Sequence, residues 1–153
     1  MGLSGTVGLT GFMPTDAALT APDIEFLRRP LHGFFSAAAG PRPPQPRPVW
    51  FEVTDEGTVE LFTAPDSSKV RRLARDPRAS LVVAAPAGER EQWVSIAGPA
   101  TVEPGGAHDL ARRLAARYWD LGDPARAADL DGILATEQVR LVLRPRIVHR
   151  FRF

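Results

Sequence analysis

The 153-residue chain contains no cysteine. That excludes disulfides, thiol nucleophiles and thiolate metal sites together, and it fits a reducing, cytoplasmic setting. Histidine is sparse. His32, His108 and His149 stand far apart with no ligand spacing, which argues against a zinc site or a histidine-based hydrolase, so no metal is expected. Tyr118 is the sole tyrosine, and Lys69 is the sole lysine beside eighteen arginines, a bias that a GC-rich coding sequence produces. Net charge is only +1, so no global field calls for nucleic acid or an anionic membrane. No apolar run approaches the length of a membrane span. Residues 1–21 hold no lysine or arginine and so lack the basic start of a secretory signal. No acid–base pair or nucleophile stands out, and the catalytic residues are unknown at this point.

What is present suits one soluble domain, because 44% apolar and 24% charged residues can build a core and a wetted surface. Residues 1–21 read as a mobile Gly/Thr-rich tail and residues 22–153 as the domain. Thr20-Ala21-Pro22-Asp23 has the form of a helix start, with a capping threonine, an early proline and an acid three places on. LHGFFSAA reads as a first strand. GPRPPQPRP cannot be regular structure and is expected to form a stiff extended loop. Val49, Phe51 and Val53 share one face of a second strand, DEG forms a turn, and Thr58–Thr63 returns as a third. ASLVVAA reads as a strongly apolar strand, with Val82 expected in the core. Gln92–Val102 is a long strand whose Gly98-Pro99 suggests a bend. In His108–Trp119 the period changes to 3.6, with Leu110, Ala111, Leu114, Ala115 and Tyr118 on one stripe. A second helix begins at Gly122-Asp123-Pro124, and Val139–Leu143 and Ile147–Phe153 close the chain as strands. The expected class is α+β, with six or seven mostly antiparallel strands in a small closed or nearly closed barrel.

The chemistry concentrates in TVELFTAPDSSKVRRLARDPRASL. A strand leads into a turn holding Thr63, Ser67, Ser68 and Lys69, and a short basic helix follows. Hydroxyls, an ammonium group and the unpaired N–H groups of a first helical turn are what a phosphate needs. Equally, Ser67 or Ser68 can simply cap a surface helix with Lys69 in solvent. Arg71, Arg72, Arg75 and Arg78 read as a solvated helix face, or as contacts for an acidic cofactor tail.

In their order, PVWFEV, the DEG turn, VELFT, SSKVRRLARDPRASL and WVSIAGPATV resemble the split β-barrel flavoproteins related to pyridoxamine 5′-phosphate oxidase. The pattern T-x₃-S-x-K followed by R-x-L-x-R-D-P is its most specific piece. The resemblance implies a homodimer with two cofactors at the subunit interface, each either coenzyme F420, a 5-deazaflavin, or FMN. It implies that Thr63, Ser67, Ser68 and Lys69 hold the cofactor phosphate and that Arg47 joins them. It further implies that the backbone of Pro48, Val49 and Trp50 runs along the ring and that Trp93 reaches the ring or ribityl chain. On residue type alone, Arg47 is as readily a solvated arginine, and Trp50 and Trp93 as readily core or dimer contacts. Glu52 falls where the flavin-binding oxidases carry a second basic residue, and HRFRF stands in place of their tryptophan- and arginine-containing C-terminal segment. The K-x-R-x-L-x-R-D-P run looks closest to the deazaflavin branch.

The expected activity is therefore hydride transfer from bound deazaflavin to an unsaturated small molecule. An FMN-dependent oxidase or reductase is the alternative within the fold. The alternative outside enzymology is a module that binds flavin, haem or another anion for storage or sensing, with His32 or His149 as the haem ligand.

Overall fold

A computed structural model describes residues 16–38 and 40–153. Four helices and eight strands alternate along them: α1 (Ala21–Leu27), β1 (Gly33–Ala37), β2 (Arg47–Val49), β3 (Glu52–Val53), β4 (Val59–Thr63), α2 (Ser68–Arg75), β5 (Arg78–Ala84), β6 (Gln92–Glu103), α3 (Ala107–Tyr118), α4 (Pro124–Leu134), β7 (Val139–Leu143) and β8 (Ile147–Arg152). Every strand pairing is antiparallel. The strand order β2-β1-β5-β6-β7-β4-β3, with β8 also on β6, is that of the expected α+β split barrel.

β6 organises the whole. Its first half, Gln92 to Ala97, pairs with β8, and Ala100 to Glu103 pair with β7. The change of partner falls on Gly98-Pro99. A β-carbon at Gly98 would sit 1.9 Å from the carbonyl oxygen of Arg144, so the close backbone approach there admits only glycine. Arg144 donates its N–H to the Pro99 carbonyl and Arg146 donates to Ala97, which clamps the β7–β8 link across this corner.

The expected second strand splits in two, which raises the strand count to eight. Arg47–Val49 pairs with β1, and Glu52–Val53 pairs with β4 on the other side of the barrel. The chain crosses between them at Trp50-Phe51. Phe51 and Val53 are buried as the alternation requires. Pro48 costs the ladder nothing inward, because β2 ends the strand order and a missing N–H is tolerated on an edge.

β5 corrects a second expectation. Ala79, Leu81 and Val83 are buried, yet Val82 is 37% exposed, because a strand with one packed face alternates whatever its composition. Phe34, opposite Val82, is 48% exposed and Ile147 47%. The outer face of the β1-β5-β6-β8 sheet thus leaves Phe34, Val82 and Ile147 open, between serines and His149.

Elsewhere the local chemistry acts as the residues suggest. Thr20 and Asp23 form a reciprocal capping box, Thr20 N–H donating to the Asp23 carboxylate at 2.7 Å. Gly57 takes φ +80° in the DEG turn. Leu110, Ala111, Leu114 and Ala115 of α3 are buried. Tyr118, at the end of that stripe, donates its hydroxyl to the Leu31 carbonyl at 2.7 Å and accepts from Phe51 N–H. Arg117 donates to the carbonyls of Leu27 and Arg29, tying the end of α3 to the end of α1.

Residues 16–20 of the expected tail pack on the domain: Asp16 exchanges backbone hydrogen bonds with Val148, and the Ala18 carbonyl accepts from Arg150. The expectation for residues 1–15 lies outside the described residues. No helix among the described residues is long and apolar enough to cross a membrane.

Candidate functional site

Eight of the eighteen arginines are neutralised by carboxylates among the described residues. Arg28, Arg29, Arg78, Arg112, Arg113, Arg126, Arg140 and Arg150 each pair with an aspartate or glutamate. One place differs. Between the N-terminus of α2 and the edge of the sheet, Gln45, Arg47, Ser68, Lys69 and Arg72 line a cleft of about 40 Å³ whose floor is Phe35 and Ala37. No carboxylate lines it.

Each side chain arrives by a local reason. Arg47 opens β2 and pairs in register with Phe35. Ser67 is the N-cap of α2 and accepts from Val70 N–H, which leaves Ser68 and Lys69 in the first turn. Arg72 follows Lys69 by three residues and so shares its helix face. The Lys69 ammonium is half-buried, and its pKa is lowered, first by burial and then by repulsion from Arg47. Two guanidinium groups, an ammonium, a hydroxyl and the free N–H groups of a helix start form a donor set that fits a phosphate.

Of the residues anticipated for cofactor binding, Arg47, Ser68 and Lys69 are thus brought together. Pro48 and Val49 continue along β2 beside them. Thr63 ends β4, in register with Val139, at the start of the turn that leads to the Ser67 cap. Trp50 does not line the cleft. It stacks on Tyr118 at 5.2 Å between ring centroids, with Trp119 edge-on at 4.5 Å. Trp93 also lies apart, stacked on Phe151 at 5.9 Å.

Two cleft residues escaped the sequence reading. Arg72 reads from sequence as part of a solvated face or as a contact for an acidic cofactor tail, and its spacing from Lys69 is the signal that places it in the cleft. Gln45 was hidden inside the proline-rich loop. Glu52, conversely, is engaged with Arg113 of α3 at 2.9 Å and does not line the cleft.

A larger cavity of about 400 Å³ lies between the start of α1 and the β6–β8 edge, against Trp93 and Phe151. Within it Arg150 is bonded to Asp23 at 2.7 Å and to Asp16 at 2.8 Å. Among the described residues no group of three or more histidines, aspartates and glutamates is placed to hold a metal ion.

Comparison with known proteins agrees with this architecture. No curated protein sequence matches the chain. Among solved structures, an F420 reductase superposes with a TM-score of 0.63 at 21% identity, over 81% of this chain and 93% of that one. A conserved hypothetical protein from Mycobacterium tuberculosis gives 0.64 at 19% identity, covering 89% of this chain and 87% of that one. An FAD-binding protein from Mesorhizobium loti gives 0.59 at 18% identity, over 92% and 100%. At these identities the likeness is one of fold. The family model described as pyridoxamine 5′-phosphate oxidase matches residues 25–142, from α1 into β7. With most of its length covered by that match, the chain belongs to the pyridoxamine 5′-phosphate oxidase family.

Proposed function

We propose that this protein is an oxidoreductase that binds the deazaflavin coenzyme F420, with a phosphate of the cofactor in the cleft between β2 and α2. The observation that carries the reading is the convergence of Arg47, Lys69 and Arg72, without a carboxylate, on the first turn of α2. When bound, the reduced deazaflavin supplies a hydride to an unsaturated small molecule. The chain's own residues bind and orient it. Lys69 and Arg47 neutralise the phosphate, and Thr63, Ser67, Ser68 and the helix N–H groups direct it. The backbone of Pro48, Val49 and Trp50 lies along the ring. No residue is assigned as proton donor: the Tyr118 hydroxyl is spent on Leu31 and Phe51, and burial pushes its pKa up.

Self-association belongs to the same reading. Phe34, Val82 and Ile147 are exposed on one face of the sheet that a second copy would cover, and Trp93 stands on that side of β6. Trp93 would then meet the cofactor at the subunit interface. Val82→Asp is expected to leave the fold intact and to shift sedimentation from dimer to monomer.

Glu52, at the position where the flavin-binding oxidases carry a second basic residue, is paired with Arg113 and adds no cation to the cleft, which favours the deazaflavin over FMN. Titration of the purified protein with coenzyme F420 and, separately, with FMN, followed by tryptophan fluorescence, tests the assignment. Saturable binding of the deazaflavin alone is expected. Preference for FMN moves the protein to the flavin branch, and binding of neither overturns the reading.

A further inference from the structure

We propose that Gln45-Pro46-Arg47-Pro48 is a pre-set clamp in which Gln45 donates a hydrogen bond to the bound phosphate group beside Arg47. The inference rests on the phosphate assignment above and adds a ligand and a holding device that the family motif does not contain.

The argument begins with the backbone. A residue that precedes proline is driven out of the helical region into extended conformation, because the proline ring crowds its N–H and β-carbon. Gln45 precedes Pro46 and Arg47 precedes Pro48, so both are confined to extended backbone, and each proline fixes its own φ. In extended chain, side chains two residues apart project to the same side. Gln45 and Arg47 accordingly both line the cleft, facing Ser68, Lys69 and Arg72. Both side chains are exposed and lie at the end of a proline-rich loop, where flexible backbone would lose entropy on binding an anion. The two prolines remove part of that loss before the ligand arrives.

The chemistry of Gln45 then follows from its neighbour. Arg47 Nη2 donates to Gln45 Oε1 at 3.3 Å. A guanidinium can only donate, so this contact fixes which end of the amide faces the arginine. The amide NH₂, with two donors and no capacity to accept, is left for the cleft. Cations and N–H donors ranked around one point, with the Gln45 amide oxygen turned to Arg47 and the Ser68 hydroxyl able to donate, select an anion carrying several acceptor oxygens, as a phosphate monoester does. Burial lowers the Lys69 pKa and repulsion from Arg47 adds to it, and the same ligand relieves that repulsion.

The test uses the full chain titrated with inorganic phosphate and followed by ³¹P NMR, with coenzyme F420 as competitor. Gln45→Glu, which exchanges the donor for a carboxylate, is expected to weaken phosphate binding at least tenfold. Gln45→Ala should weaken it about threefold to tenfold, the loss of one hydrogen bond. Pro46→Ala, with every cleft side chain retained, should weaken it about twofold to fivefold, with an unchanged near-ultraviolet circular dichroism spectrum. Lys69→Ala is the control for the cleft itself. Wild-type affinity in Gln45→Glu alongside a loss in Lys69→Ala overturns the clamp and leaves the cleft standing. Wild-type affinity in both overturns the phosphate assignment together with the clamp.

Discussion

Two groups of charged residues in this molecule have opposite surroundings. At the α1–β8 junction, Arg150 is 9% exposed and meets the carboxylates of Asp23 and Asp16. At the β2–α2 junction, Arg47, Lys69 and Arg72 face one another across a cleft that no carboxylate lines. The first arrangement is closed: its charges are satisfied within the chain, and what they hold together is the chain. The second is open, and the folded protein carries its repulsion until an anion arrives. Similar residue types therefore serve the fold in one place and a ligand in the other, and the partner groups, not the arginines, decide which.

The contrast breaks first at Asp23. Asp23→Ala leaves the buried Arg150 without its main partner and removes the α1 capping box, and it is expected to destabilise by about 3–5 kcal/mol, read from the urea midpoint. Lys69→Ala should do the reverse. It relieves repulsion, so stability is unchanged or slightly raised, while affinity for coenzyme F420 falls about tenfold to a hundredfold, or about 1.5–3 kcal/mol, in the fluorescence titration.

The pH response sharpens the comparison further. Burial alone would raise the pKa of Asp23, but hydrogen bonds from Arg150 and Thr20 outweigh it, and the folded value lies below the usual one. This contribution to stability is fully present above about pH 4. It is lost as pH falls through the lowered folded value, and Asp23→Asn should flatten the acid limb of a stability profile. Lys69 acts at the opposite end. Its lowered pKa means that its proton, and with it phosphate affinity, is lost below the pH at which a free lysine titrates. Lys69→Arg should hold affinity through that alkaline range. The smallest effect is expected at Arg113, whose pair with Glu52 is half in solvent. Arg113→Ala should cost less than about 1 kcal/mol in the same urea measurement and leave cofactor affinity as it was.

Local signals made much of this legible in advance. The Thr20–Asp23 box, the DEG turn, the Ser67 cap and the α3 stripe each depend on residues within a few positions of one another, and each appears where its spacing puts it. The readings that changed depend on distance. Nothing beside Val82 in ASLVVAA says that one face of that strand is uncovered, since an apolar run looks alike whether one side or both are packed. Arg72 on a short basic helix becomes a cleft residue only because the proline loop and β2 are folded against that face. The Asp23–Arg150 pair joins positions 127 apart and has no local signature. Thr63 and Ser67 keep the roles the family pattern implies only as a proposal, since neither lines the cleft.

The corner at Gly98 carries a consequence of another kind. Every residue that could replace a glycine brings in a β-carbon, and here the first atom it meets is the Arg144 carbonyl oxygen. Mutational drift thus finds no neutral step at this position. Surface strands around it can exchange residues one at a time, whereas the strand that joins the two halves of the barrel is held to a side chain of one hydrogen for as long as the lineage keeps the fold.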